Sequence, residues 1–202
     1  MSVKVYGMSS SGNCHKVRLI LDYLKIAYSW IETDTRQRAT QTDEFKKMNP
    51  NARVPLVQLE DGSYLAESNA ILYYFAQGSS FWPADKLSQA HVLQWMFFEQ
   101  YDHEPRLAVN RAIQSIYNTM AERRAEFEAN QPKGYKALSV MENHLRDNRW
   151  FGAANASIAD IALYAYTHVA DEGGFSLADY PHIRRWLGDM EKISGHSRMI
   201  IR

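Results

Sequence analysis

The run VPLVQLEDGSYLAES, residues 54–68, constrains the fold more than any other part of the chain. Two strand-like segments, 54–59 and 63–67, flank Asp61-Gly62, a dipeptide suited to a tight hairpin turn, so the segments must run antiparallel. The next stretch, SNAILYYFAQ (68–77), sets Ala70, Ile71, Tyr74 and Phe75 at helical spacing behind a serine suited to cap a helix. Upstream, SVKVY (2–6) alternates Val3 and Val5 onto one face as a short strand. A Ser/Gly turn follows, then Val17, Ile20, Leu21 and Leu24 at helical spacing from Cys14 onward, then a second strand, YSWIET at 28–33. The predicted order over residues 1–77 is βαβ, loop, ββα.

The character changes after that. GSSFWPADKL (78–87) has the Gly, Ser and Pro content of a linker, and no convincing strand follows it. A long helical stretch from 88 to 120 contains Pro105, which lacks a backbone donor and should kink or break it. Further helices are predicted at 133–147, 157–170 and 181–194, with Asn130–Gly134 and Gly173-Gly174 as breaks. The fold class is thus an α/β unit (1–77), a linker (78–87) and an all-α domain (88–202).

Composition narrows the partners. The 23 basic and 23 acidic residues balance without a basic stripe, which favours a small-molecule partner over nucleic acid or an anionic membrane. One cysteine, Cys14, permits no internal disulfide and no CxxC dithiol, which suits a reducing compartment. No run has the anatomy of a signal peptide or approaches the ~20 apolar residues of a membrane span, so a soluble cytoplasmic protein is expected. The seven histidines are scattered without metal-ligand spacing, so no metal site is expected.

Two short motifs have chemical readings beside structural ones. Pro55 enters a strand: it is either an ordinary trans proline or a cis bond that turns the Val54 N–H and C=O toward an extended, peptide-like ligand. Glu67-Ser68 lies where a strand hands over to a helix. The helix N-terminus there could receive a carboxylate while Glu67 accepts an ammonium group, or Ser68 only caps and Glu67 is solvated.

Taken in order, the strand–Ser loop–helix of residues 6–21, Val54-Pro55, Glu67-Ser68, WFGAANASIADIALYAY and YPHIRRWLGDMEKI give a chain that resembles a glutathione S-transferase over essentially its whole length. The carboxy-terminal pair Ser157 and Asp160 would form a helix-capping box. The resemblance implies a thioredoxin-like first domain, a cis Val-Pro bond, and a Glu67-Ser68 pair that holds the γ-glutamyl end of glutathione. It also implies a homodimer.

In serine-type relatives the catalytic serine stands three positions before a cysteine, which here selects Ser11 in SGNC. Asn13 matches an asparagine of bacterial relatives and is given a supporting role. Ser9 and Ser10 are read as turn formers, and Cys14 as a packed thiol, with a nucleophilic role as the lesser alternative. Arg53 occupies the place of a lysine that pairs with the glycyl carboxylate; a solvated surface charge is the other reading. The electrophile site is expected between the Ser11 loop and the aromatic helix bearing Trp95, Met96, Phe98 and Tyr101, with His103 and Arg106 facing the ligand. The expected activity is conjugation of the glutathione thiolate to apolar electrophiles. The alternatives are a glutathione-dependent peroxidase or disulfide reductase, and a non-catalytic binding module.

Overall fold

The computed structural model describes residues 2–200. The chain forms two compact units: one runs to Ser79 and takes in the segment from Ser194 onward, and the other is Ser80–Ile193.

In the first unit, β1 (Val3–Gly7), α1 (Gly12–Tyr23) and β2 (Tyr28–Glu32) make a βαβ element with β1 and β2 parallel, Val5 opposite Trp30. Two single 3₁₀ turns, Thr35–Gln37 and Ala39–Gln41, and a short helix α2 (Asp43–Met48) fill the segment that the sequence marks only as loop. The antiparallel hairpin β3 (Leu56–Gln58) and β4 (Tyr64–Ala66) then leads into α3 (Ser68–Ala76). The sheet order is β2-β1-β3-β4, so the first strand is central and its alternate residues Val3, Val5 and Gly7 are buried. This is the thioredoxin-like βαβ-ββα arrangement.

The hairpin forms as the Asp61-Gly62 signal requires. Gly62 sits at φ 89°, a left-handed value that a side chain would strain, and Asp61 Oδ1 accepts from Ser63 N (2.9 Å) and Oγ (2.6 Å). The first unit also receives the segment past Ser194, which sequence alone places in the helical domain. Tyr23 Oη lies 2.8 Å from His196 Nδ1, and Gly195 packs so closely on Asp22 O that a Cβ there would stand 2.8 Å from it.

The second unit is helical throughout: α4 (Lys86–Phe98), α5 (Glu104–Arg111), α6 (Met120–Asp147), α7 (Ile158–Thr167) and α8 (Pro181–Glu191). Pro105 does not break the chain. A π-turn, Glu99–His103, widens the helix just before it, which places the proline in the first turn of α5 where a missing N–H is tolerated. The break predicted at Asn130–Gly134 is absent, since α6 runs through it with Pro132 inside. Tertiary contacts override the local signal there. Asn130 donates to Asn110 Oδ1 (3.2 Å), and Gly134 leaves room for the Phe175 ring, which any Cβ would strike. The true kink is at Arg123, whose φ and ψ leave the helical region.

Near its carboxy-terminal end this unit is organised around Asp160, which is fully buried. Ser157 and Asp160 make the predicted capping box at the start of α7, and the same carboxylate accepts from the Trp186 indole of α8 (2.9 Å). Among the described residues no helix is long and apolar enough to cross a membrane.

Candidate functional site in the first unit

The turn after β1, the loop before β3 and the junction of β4 with α3 bring most of the sequence-predicted residues together. Ser11 closes the first of these. Its N–H donates to Met8 O (2.9 Å), its backbone is extended (φ −83°, ψ 128°), and it is the N-cap of α1. Its Oγ accepts from Cys14 N at 3.4 Å, a long and weak cap. The side chain is partly exposed, and its hydroxyl also acts on the buried Cys14 sulfur, whose pKa it lowers. A donor therefore stands beside the positive end of a 12-residue helix.

Asn13, two residues further on in the first turn of α1, accepts from Ser68 Oγ through its Oδ1 (3.2 Å) and so ties α1 to the start of α3. That bond corrects the reading of Ser68 as a helix cap. The first α3 bond runs from Ile71 N to Glu67 O (2.9 Å), which makes Glu67 the N-cap and leaves Ser68 inside the first turn, its hydroxyl turned across to α1. The N–H groups of this first turn lack intrahelical acceptors and form an anion-receptive end.

Glu67 adopts φ 67°, ψ 113°, a conformation that costs a residue with a Cβ about 1–2 kcal/mol. Its exposed carboxylate accepts from Asn51 Nδ2 at 3.4 Å. The junction sets a carboxylate beside the amino end of a helix, a pairing complementary to an amino acid's two charges. The Val54–Pro55 peptide is cis, the second of the two readings open from sequence. Buried Asn49 shapes the loop before it, donating to Arg53 O (2.8 Å) and accepting from Asn51 N (3.1 Å). Arg53 is exposed, with no ion-pair partner among the described residues.

Cys14 is fully buried, and its thiol is pushed up to about 11, chiefly by loss of solvent, with a smaller opposing effect from Ser11. Burial therefore strongly disfavours the reactive thiolate near neutral pH, which argues against the nucleophilic alternative. Native protein at pH 8 is expected to resist a thiol-disulfide reagent and to react stoichiometrically once unfolded in denaturant. Rapid labelling of the folded protein would refute the assignment.

The second-unit residues divide. His103 is fully buried, its Nε2 2.9 Å from Thr167 Oγ1, so the imidazole is held in the helical core rather than facing a ligand. This corrects the sequence reading, and the reason is the π-turn, which rotates His103 inward. Arg106 is partly exposed and lines a cleft of about 320 Å³ with Phe98, Asp102, Lys133 and Lys136. Among the described residues no three His, Cys, Asp or Glu side chains are grouped to hold a metal ion.

Sequence reasoning missed Glu32, at the end of β2. It accepts from Ser9 N (2.9 Å), Ser9 Oγ (2.5 Å) and Trp30 Nε1 (2.8 Å), so Ser9 is bonded to a distant carboxylate rather than to its own turn. Nothing in the local pattern marks a partner 23 positions away.

Residues 1–77 match the family model for the glutathione S-transferase N-terminal domain, and residues 93–193 that for the C-terminal domain. A glutathione S-transferase from Pseudomonas fluorescens Pf-5 superposes with a TM-score of 0.96 at 48% identity, over 99% of this chain and 100% of its own. This chain belongs to the glutathione S-transferase family.

The transferase shares 28% identity over 183 residues with the disulfide-bond oxidoreductase YfcG of Escherichia coli K12, covering 86% of this chain and 83% of that protein. It also shares its fold, at a TM-score of 0.82 and 20% identity, with a Pseudomonas fluorescens Pf-5 glutathione transferase family member solved with two glutathione bound. That match covers 96% of this chain and 90% of the other.

Proposed function

We propose that this glutathione transferase ionises the glutathione thiol with Ser11 and conjugates it to an apolar electrophile. The observation that carries the reading is the partly exposed Ser11 hydroxyl at the amino end of α1. In the ground state about one thiol in thirty is ionised at pH 7, from an ordinary value near 8.5. A hydroxyl donor and a helix end both favour the charged form. The thiol proton leaves to water, the sulfur forms a bond to the electrophilic carbon, and the leaving group departs with its electron pair.

The remaining roles follow from the same surface. The α3 N-terminus at Ser68 receives the γ-glutamyl carboxylate, Glu67 accepts its ammonium, the Val54 backbone pairs with the cysteinyl peptide, and Arg53 takes the glycyl carboxylate. Asn13 supports Ser11 and fixes Ser68. In the second unit Arg106 is the ligand contact, with its side chain at a surface cleft. Glutathione bound to a relative of the same fold supports this reading, and the resemblance of the sequence to serine-type family members implies a cytosolic homodimer.

A second reading, reduction of disulfides by two glutathione thiols with release of glutathione disulfide, is favoured by Asn13 beside Ser11 and by the likeness to the E. coli oxidoreductase. Assays with glutathione and, in turn, an aryl halide, a hydroperoxide and a glutathionyl disulfide separate them. The highest turnover is expected with the aryl halide; disulfide or peroxide turnover far above it selects the second reading. Failure to bind glutathione at millimolar concentration would instead leave a non-catalytic module.

A further inference from the structure

We propose that Glu32 and Ser9 are positioning residues for the thiol-activating hydroxyl: the Glu32 carboxylate grips Ser9 and thereby sets where Ser11 points. The inference rests on the role proposed for Ser11. Its starting point is the turn from Met8 to Ser11, closed by the bond from Ser11 N to Met8 O (2.9 Å). Ser9 and Ser10 are the central residues of that turn, so their backbone angles fix the position and direction of the Ser11 Cα–Cβ bond.

Glu32 holds Ser9 by both of its polar groups. One carboxylate oxygen accepts the Ser9 N–H at 2.9 Å and the other accepts the Ser9 hydroxyl at 2.5 Å. Ser9 is buried, so its N–H and O–H have little water to fall back on.

The carboxylate is itself held. Trp30, on the same strand, donates its indole N–H to Glu32 Oε2 at 2.8 Å. That ring lies under the Arg18 guanidinium (4.1 Å to its centre) and so close over Gly7 that a Cβ there would stand 2.6 Å from it. Pairing continues past the strand end through Thr33 N to Gly7 O (2.9 Å). The Glu32 side chain is exposed, but its hold on the turn is braced through the Trp30 indole, which packs against Gly7 of the sheet and Arg18 of α1.

Charge points the same way. A carboxylate near this turn opposes formation of a thiolate, as its effect on the Cys14 thiol shows. Its electrostatic action is adverse to the chemistry, so the gain that offsets it must be mechanical. Removing the charge and removing the grip would move a bound thiol in opposite directions, and an informative variant must keep the charge.

Ser9→Ala and Glu32→Asp both do so. The first deletes one hydroxyl, and the second shortens the arm by a methylene. The measurement is thiolate absorbance of bound glutathione against pH, with kcat and KM, for each change in the wild type and in a Ser11→Ala background. In the wild type the bound thiol should titrate about half a unit to one unit higher, and kcat at neutral pH should fall about three- to tenfold. KM for glutathione should stay within about twofold. In the Ser11→Ala background neither change should move the thiol further.

An unmoved thiol in the wild-type background, or an equal shift with Ser11 already absent, overturns the positioning role while leaving Ser11 in place. An unmoved thiol in Ser11→Ala alone removes the reading beneath it. If Ser9→Ala does not fold, Glu32→Asp separates the same outcomes.

Discussion

Ser11→Ala should raise the pKa of bound glutathione by about one to two units and lower kcat at pH 6.5 by about 10- to 100-fold, because a hydrogen bond to a charged acceptor contributes about 1.5–3 kcal/mol. The sign follows from the anion being the favoured form. A lowered thiol pKa makes the thiolate the major form above that pKa, and the advantage disappears once pH exceeds the thiol's ordinary value near 8.5. The ratio of wild-type to variant activity should therefore be largest below neutrality and approach unity at about pH 9. The substitution also removes the N-cap of α1, but that cap is long at 3.4 Å and its loss belongs at the low end of about 0.5–2 kcal/mol. Ser11→Thr keeps both the cap and the donor and should restore most of the activity. A thiol that titrates identically in wild type and Ser11→Ala would take Ser11 out of the chemistry.

The features legible in the sequence share one property: their cause is local. Asp61-Gly62 makes its turn from its own backbone preference and a carboxylate two residues from its partner. Ser157 and Asp160 cap α7 across three positions. Alternation places the strands because Val3 and Val5 meet the same buried face. Where the cause is distant, local signals mislead. Pro132 and Gly134 spell a break, yet α6 continues because Asn130 finds Asn110 and Gly134 admits Phe175. His103 reads as ligand-facing because it neighbours Pro105, and a π-turn that no propensity encodes turns it inward.

The site shows the same division. Ser11 and Asn13 can be placed at the start of α1 from the strand–turn–helix pattern, and Glu67-Ser68 at the start of α3. The left-handed backbone of Glu67 and the Ser68–Asn13 bond cannot: a positive φ at a glutamate has no residue-type signal, and the bond depends on α1 and α3 being brought side by side. The grip of Glu32 on Ser9 spans 23 positions and has no signature short of the fold itself.

Asp160→Ala should be the most destabilising single change in the second unit, about 4 kcal/mol or more, because it strands several buried donors at once. Asp160 Oδ1 accepts from Phe151 N (3.0 Å) and Trp186 Nε1 (2.9 Å), while Oδ2 accepts from Ser157 N (2.8 Å). The Ser157 hydroxyl lies 3.1 Å from Oδ2 and 2.9 Å from Phe151 O, and its single proton serves one of them at a time. Asp160→Asn keeps the shape but turns an amide N–H₂ toward an N–H donor whichever way it is flipped, and should cost about 1–3 kcal/mol.

Titration separates the two forms of this carboxyl. Burial pushes Asp160 up to about 7 against the pull of its donors, whereas an unfolded aspartate ionises near its ordinary value of about 3.9. The unfolded chain thus loses this proton first as pH rises. The contribution of Asp160 is complete below about pH 4 and declines as pH rises through about 7. The stability advantage of wild type over Asp160→Asn, which has no proton to lose there, should therefore be greater at pH 5 than at pH 8. Urea unfolding of both proteins at the two values measures it. A difference that grows with pH would mean that Asp160 is folded as the anion, its donors outweighing its burial, and an unchanged urea midpoint in Asp160→Ala would remove the network from the stability of the second unit altogether.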